Sequence, residues 1–356
     1  MFEVPILRKV TIIYLTIMIC NLLLTVVFFY LHWDFRLLIK NGFCLITTCF
    51  GALLISEASF SADTHFPIEK IKRDMWPFSD ADPQVFRRIQ NDIKFLRYTR
   101  ILLIILLLIS TSILPISGDI REFAAILYLF DDIERRFWYH YLKFGILIFK
   151  LIFSLTFSSP LFMMLYSVGD NAYSLMIVRE KIRSIEEIFG TKDTWFQNEA
   201  YQKYVELTLM RCIKEHVLIK RYHKITASIL ERDTPSVSLV VVLLFTSFYF
   251  SVKMNMNNEI MMKSMFIVML VIFFAYLFIR CGQLLKDESE DLYRDLCECP
   301  WFLWNKHNKS LYIMFLINTK EPITIRSLSV DLDCRILVRL ARTTMSLLTA
   351  LQKLDA

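Results

Sequence analysis

Glycine is scarce in this chain. Its 356 residues include seven, and Gly42, Gly51, Gly118, Gly145, Gly169, Gly190 and Gly282 stand far apart. A phosphate-cradling loop or a dinucleotide fingerprint needs clustered glycines for tight turns and close backbone approach, and no such cluster exists. His-Glu-x-x-His and Gly-x-Ser-x-Gly are also missing, so neither an enzyme nor a bound cofactor is expected. Metal-ligand spacing is equally thin. Cys297-x-Cys299 lacks the spacing of a zinc knuckle and has no partner pair. Cys212 and His216 sit four apart, which would suit two ligands on one helix face, but packing inside a helix bundle is the expected role. The formal charge of +6 is spread through segments nearly matched in acidic residues, which argues against a nucleic-acid partner.

Apolar length is what the chain has in abundance. Hydrophobic residues make up 55% of it, with 30 Phe and 15 Met. Six runs, at 10–31, 41–58, 101–116, 144–168, 237–252 and 261–279, approach the ~17–25 residues that cross a hydrocarbon core. With a final helix they predict seven spans in an integral, multi-pass membrane protein whose surface meets lipid. The first run is too long for a signal core, and no small-x-small cleavage site follows at His32-Trp33-Asp34, so it is expected to be retained.

Lys and Arg set the expected orientation. Arg8 and Lys9, the segment after span two (Lys70 to Arg100), the segment after span four (Arg179 to Arg232) and the segment after span six (Arg280 to Arg326) carry most of them. The bias is roughly three to one and places the amino terminus in the cytoplasm and the carboxyl terminus outside. Cys212, Cys281, Cys297 and Cys299 then fall on the reducing side. Cys20, Cys44 and Cys49 lie in spans and Cys334 in the last helix, so no structural disulfide is expected. The sequon Asn308-Lys309-Ser310 is placed in the cytosol.

Two features carry further expectations. Apolar residues spaced by three and four across 175–188 and 204–230, such as Val205, Leu209, Cys212, Ile213, His216 and Ile219, predict that spans four and five continue as helices beyond the membrane, with a break at Gly190. In the last helix Arg335, Arg339 and Arg342 share one face. Each would cost about 2.5–3.5 kcal/mol at mid-membrane, so the stripe is expected to meet protein or water. The outer halves of the spans are rich in Met and aromatic side chains, a composition that also suits adaptable apolar pockets.

The helix end at 278–283, the Lys286-Asp287-Glu288-Ser289-Glu290-Asp291-Leu292 run, Cys299-Pro300-Trp301 and Lys320-Glu321-Pro322 resemble the carboxyl-terminal block of insect odorant receptors. Tyr128-Leu129-Phe130-Asp131 and the stretch from Leu209 to His216 add to the resemblance. Thr344-Met345-Ser346 departs from the family by placing Met where a Tyr is common. The resemblance implies a subunit of a ligand-gated, non-selective cation channel of four chains, working with a shared odorant receptor co-receptor and binding a small volatile apolar ligand. No long insertion follows span four, so the chain resembles an odorant-tuning subunit.

The division that follows is 1–281 for a six-span ligand-binding bundle with cytoplasmic helical extensions, 282–327 for a cytoplasmic loop and the first half of helix seven, forming the anchor, and 328–356 for the pore-lining helix. Thr47, Ser110, Ile113, Phe149, Phe153, Met265, Phe266 and Met269 are the expected pocket residues, and Leu348, Thr349 and Gln352 the expected pore residues. A gustatory receptor-type channel is the alternative, followed by a G-protein-coupled receptor or a transporter.

Overall fold

The computed structural model describes residues 5–31, 70–117, 137–187, 198–254, 258–327 and 330–331, with isolated positions at 46–52 and 338–349. The expected all-helical fold is what it shows, apart from one short β pair. In chain order the helices are α1 (Pro5–Leu31), α2 (Pro83–Ser117), α3 (Phe137–Glu187), α4 (Glu199–Lys253), α5 (Asn258–Glu298) and α6 (Lys306–Thr319). Strands β1 (Arg326–Ser327) and β2 (Val330–Asp331) pair antiparallel after α6. The expected extensions of spans four and five are present, since α3 and α4 each run unbroken from an apolar stretch into a polar one. The break expected at Gly190 lies outside the described residues.

Two local rules are overridden. Pro160 and Pro235 stand inside α3 and α4, where each removes a backbone donor, yet both helices continue through them. The 278–283 helix end is also corrected, because α5 continues to Glu298. Its acidic run stays helical because Leu285, Leu292 and Leu296 are fully buried on one face, with Glu288 and Asp295 beside them. Within the described residues, Ser264–Glu298 is long and apolar enough to cross a membrane by length and composition, and Leu15–Val27 and Ser238–Lys253 are shorter apolar helices.

The core lies where the polar halves of α3, α4 and α5 meet α6. Leu175, Val178, Ile182 and Ile185 of α3 pack with Val205, Leu209, Cys212 and Ile219 of α4, and with Leu285, Leu292 and Leu296 of α5. Trp304, Tyr312 and Phe315 close this cluster from α6 and the turn before it. The Cys299-Pro300-Trp301 motif makes that turn: α5 stops, a single 3-10 turn at Trp301–Leu303 follows, and Asn305 caps α6 by accepting from the Asn308 amide at 2.8 Å. Trp304 is held by its indole N–H, which donates to the Tyr201 hydroxyl at 3.0 Å, and by an edge contact with Tyr312.

Residues 70–82 form a strap across the outside of this assembly. The Trp76 amide donates to Glu215 at 2.9 Å, and the Asp82 amide to Glu180 at 2.7 Å. Lys72 pairs with Asp170 and also lies 5.4 Å from the centre of the Tyr222 ring. The segment after α6 is tied down at two points. Ser289 accepts from the Ile323 amide at 2.9 Å, and His223 bonds the Thr324 carbonyl at 3.1 Å.

Candidate functional site

A charge cluster joins α3 to α5 at the centre of the polar half. Arg179 donates through Nε to Asp295 at 2.9 Å, and its terminal nitrogen reaches Asp291 at 3.0 Å and also Glu288. Arg183 donates to the second Asp295 oxygen at 2.8 Å, and Arg88 of α2 reaches Glu288 at 3.2 Å. The Glu288 and Asp295 side chains are only 4% and 5% exposed, and Arg179 12%. Burial works against the Arg179 charge, but hydrogen bonds and the field of Asp295 and Glu288 outweigh it and hold its pKa above the ordinary value. Three helices are thereby fixed in one register, because a guanidinium fork donates to carboxylates along its own plane.

Beside it, α4 presents a second polar set. Gln202 donates to the Leu303 carbonyl at 3.0 Å and accepts from the Asn305 amide at 2.9 Å. The fully buried Asn308 side chain donates to the Gln202 carbonyl at 2.9 Å and to its side-chain oxygen at 3.0 Å. The sequon nitrogen is therefore occupied inside the fold, whatever side of a membrane it lies on. Cys212 and His216 are both buried. Burial pushes the Cys212 thiol up, and Glu215 adds to that. Burial, with the nearby Lys220 charge, lowers His216 to about 4. The neutral His216 ring packs edge-on against Phe315 at 5.5 Å, which is the packing role expected for this pair.

The expected ligand and pore residues are only partly brought into view. Ser110 and Ile113 lie on α2, Phe149 and Phe153 on α3, and Met265, Phe266 and Met269 on α5. Phe266 is half-buried, whereas Met265 and Met269 are 55% and 61% exposed. They continue an exposed stripe through Met262, Ile272 and Tyr276, so these two methionines face away from the folded chain. Thr349 is exposed, and its hydroxyl donates to the Met345 carbonyl at 2.8 Å. Thr47, Leu348, Gln352, Arg335 and Arg339 fall outside the described residues, and Arg342 is exposed.

Sequence reasoning missed a polar trio in the apolar halves of α4 and α5. Ser251 and Ser264 are fully buried and bond back to carbonyls of their own helices. The buried Ser247 hydroxyl finds no partner among the described residues. An unpartnered hydroxyl in an apolar wall is the kind of polar anchor that small-molecule pockets use. Three serines across two phenylalanine-rich spans were a visible signal. An open groove of about 500 Å³ lies elsewhere, between α2, α3 and α5, with Asp92, Phe95, Leu96, Tyr173, Leu277 and Arg280 among its lining residues.

Comparison with known proteins follows the same architecture. The family model described as 7tm odorant receptor matches residues 77–345. Among solved structures, the insect olfactory receptor OR5 from Machilis hrabei is similar with a TM-score of 0.76 at 12% identity, over 98% of this chain and 90% of that one. The structure of that receptor in complex with eugenol gives a TM-score of 0.71 at 9% identity, over 99% and 91%. At these identities the likeness is one of fold. No curated protein sequence matches the chain.

Proposed function

This chain belongs to the seven-transmembrane odorant receptor family, a family of membrane proteins, and on that premise we propose that it is the odorant-tuning subunit of a ligand-gated, non-selective cation channel. In this role it assembles with a shared co-receptor at the plasma membrane of a sensory neuron and binds a small volatile apolar ligand. The carrying observation is the family match over residues 77–345, which takes in α2 to α6 and so both apolar stretches and the polar assembly. The amino terminus is cytoplasmic and the carboxyl terminus extracellular in this proposal, following the basic-residue bias.

Each structural part supports a step. A ligand would enter the apolar halves of the spans, where Phe266 and the Ser247 hydroxyl supply an apolar wall and a polar anchor; the complex of the OR5 relative with eugenol supports a ligand of that class. Because α3 and α5 are continuous from those halves into the charge cluster and α4 into the polar set beside it, a shift at the pocket is carried as rigid-body movement rather than lost in loops. The cluster then holds the polar halves together as an anchor, the role assigned to 282–327 with the extensions of spans four and five. On that anchor α6 leaves Ile313, Met314 and Ile317 exposed. Apolar residues exposed on a segment outside the membrane mark a surface for neighbouring subunits.

Leu348, Thr349 and Gln352 remain the proposed pore residues. A ligand panel recorded on the chain co-expressed with the co-receptor, paired with co-purification of the two chains, tests the proposal. Volatile-dependent current and a stable complex are expected. Failure of the two chains to associate would overturn the assembly, and responses confined to non-volatile tastants would favour the gustatory type.

A further inference from the structure

The groove between α2, α3 and α5 takes no part in the function proposed above. Its volume, about 500 Å³, lies within the ~300–1,000 Å³ of small-molecule sites. Phe95, Leu96, Tyr276 and Leu277 make its walls apolar. On both flanking helices this level is where the apolar run meets charge, with Arg100 before Ile101 on α2 and Arg280 after Ile279 on α5. Under the membrane reading of 261–279, on which this inference rests, the groove opens at the headgroup level of the inner leaflet.

Its charges are arranged in an unusual way. Arg88 is committed to Glu288 at 3.2 Å, and Asp287 accepts from Gln283 at 2.7 Å. Arg280 and Asp92 form a long ion pair. They stand 3.8 Å apart, beyond hydrogen-bond distance, and the Arg280 guanidinium rests 4.6 Å from the centre of the Phe95 ring. A loose cation–anion pair beside an apolar slot is the complement of a zwitterion. An anionic head alone would bring a second negative charge to Asp92 and Asp287, and a cationic head alone would face Arg280.

We propose that this groove binds the headgroup of a phosphatidylethanolamine-type phospholipid, its phosphate on Arg280, its ammonium on Asp92 and its first acyl carbons along Phe95 and Tyr276. The primary ammonium carries three N–H donors for the carboxylate, which a trimethylated choline head lacks. Bound there, the lipid bridges α2 to α5 at the junction between the apolar and polar halves and ties the stability of that junction to membrane composition.

Native mass spectrometry of the full-length chain, extracted from vesicles of phosphatidylcholine doped with either phosphatidylethanolamine or phosphatidylglycerol, tests this. Retention of phosphatidylethanolamine over both other lipids is expected. Asp92→Asn should reduce that preference about fivefold, the effect of one charge at a membrane surface, whereas Arg280→Gln, which loses a phosphate contact common to the three lipids, should lower retention of all of them by a similar factor. Arg211→Gln, an exposed position on α4, should leave it intact. Equal retention of the three lipids, a preference for phosphatidylglycerol, a preference that survives Asp92→Asn, or retention unchanged by Arg280→Gln would overturn the proposal. Should Arg280→Gln fail to fold, Asp92→Asn decides alone. A chain that does not float with the vesicles before extraction contradicts the membrane reading instead.

Discussion

Replacing Arg179 by Met should be among the most damaging single changes to the folded chain. The substitution keeps the apolar stem but leaves Glu288, Asp291 and Asp295 facing one another, two of them almost wholly buried. Breaking a buried ion pair from one side costs about 3–5 kcal/mol, because the abandoned charges stay desolvated. Arg88 and Arg183 still touch Glu288 and Asp295, but both are more than half exposed, and such surface contacts each return at most about 1 kcal/mol. The net loss should therefore lie near the lower end, about 3 kcal/mol. For a large domain this lowers Tm by roughly 6 °C. The assay is thermal denaturation of detergent-extracted protein followed by fluorescence-detected size exclusion. Adding Glu288→Gln and Asp295→Asn to Arg179→Met should recover about half of the loss, since a cluster removed from both sides leaves no stranded charge. A Tm unchanged by Arg179→Met, or a triple variant less stable than the single one, would refute the reasoning.

Acid should loosen the same assembly through His216. Folded, it titrates at about 4 instead of 6.5, so its contribution is complete above pH 6.5 and is lost as pH falls toward 4, by up to about 3 kcal/mol. Glu215, raised chiefly by burial, acts in the opposite direction; His216→Phe isolates the histidine and should flatten the pH dependence of Tm in that window. Asn308→Ala should cost about 1–3 kcal/mol by removing two buried hydrogen bonds to Gln202, read as a lower Tm with no change in glycosylation. Ile317→Asp, at a position 68% exposed on α6, should leave the Tm of the isolated chain within about 1 °C but sharply reduce co-purification with the co-receptor. Normal co-purification would remove α6 from the interface.

The sequence announced its helices more readily than their partners. Val205, Leu209, Cys212, His216 and Ile219 follow one face of α4, so spacing alone extended span five well past the apolar run. The acidic stretch at the end of α5 was harder to place. Charges usually mark a solvated end, and nothing local shows that Glu288 and Asp295 face inward; their partner Arg179 lies 109 and 116 residues earlier. The sequon at Asn308 read as a topology marker, whereas packing against Gln202 makes it a structural amide. Of the expected pocket residues, Met265 and Met269 had suitable chemistry and depth, but a span apolar on every side does not reveal which face turns inward. Ser247 is the clearer candidate because its buried hydroxyl has no partner among the described residues.

The most direct measurement is whole-cell recording from cells expressing this chain with the co-receptor, this chain alone, or both with G-protein signalling blocked. Volatile-evoked cation current should require both chains and persist undiminished under the block. Robust odorant current from this chain alone, or current abolished by the block, would contradict its assignment as the tuning subunit of a ligand-gated channel.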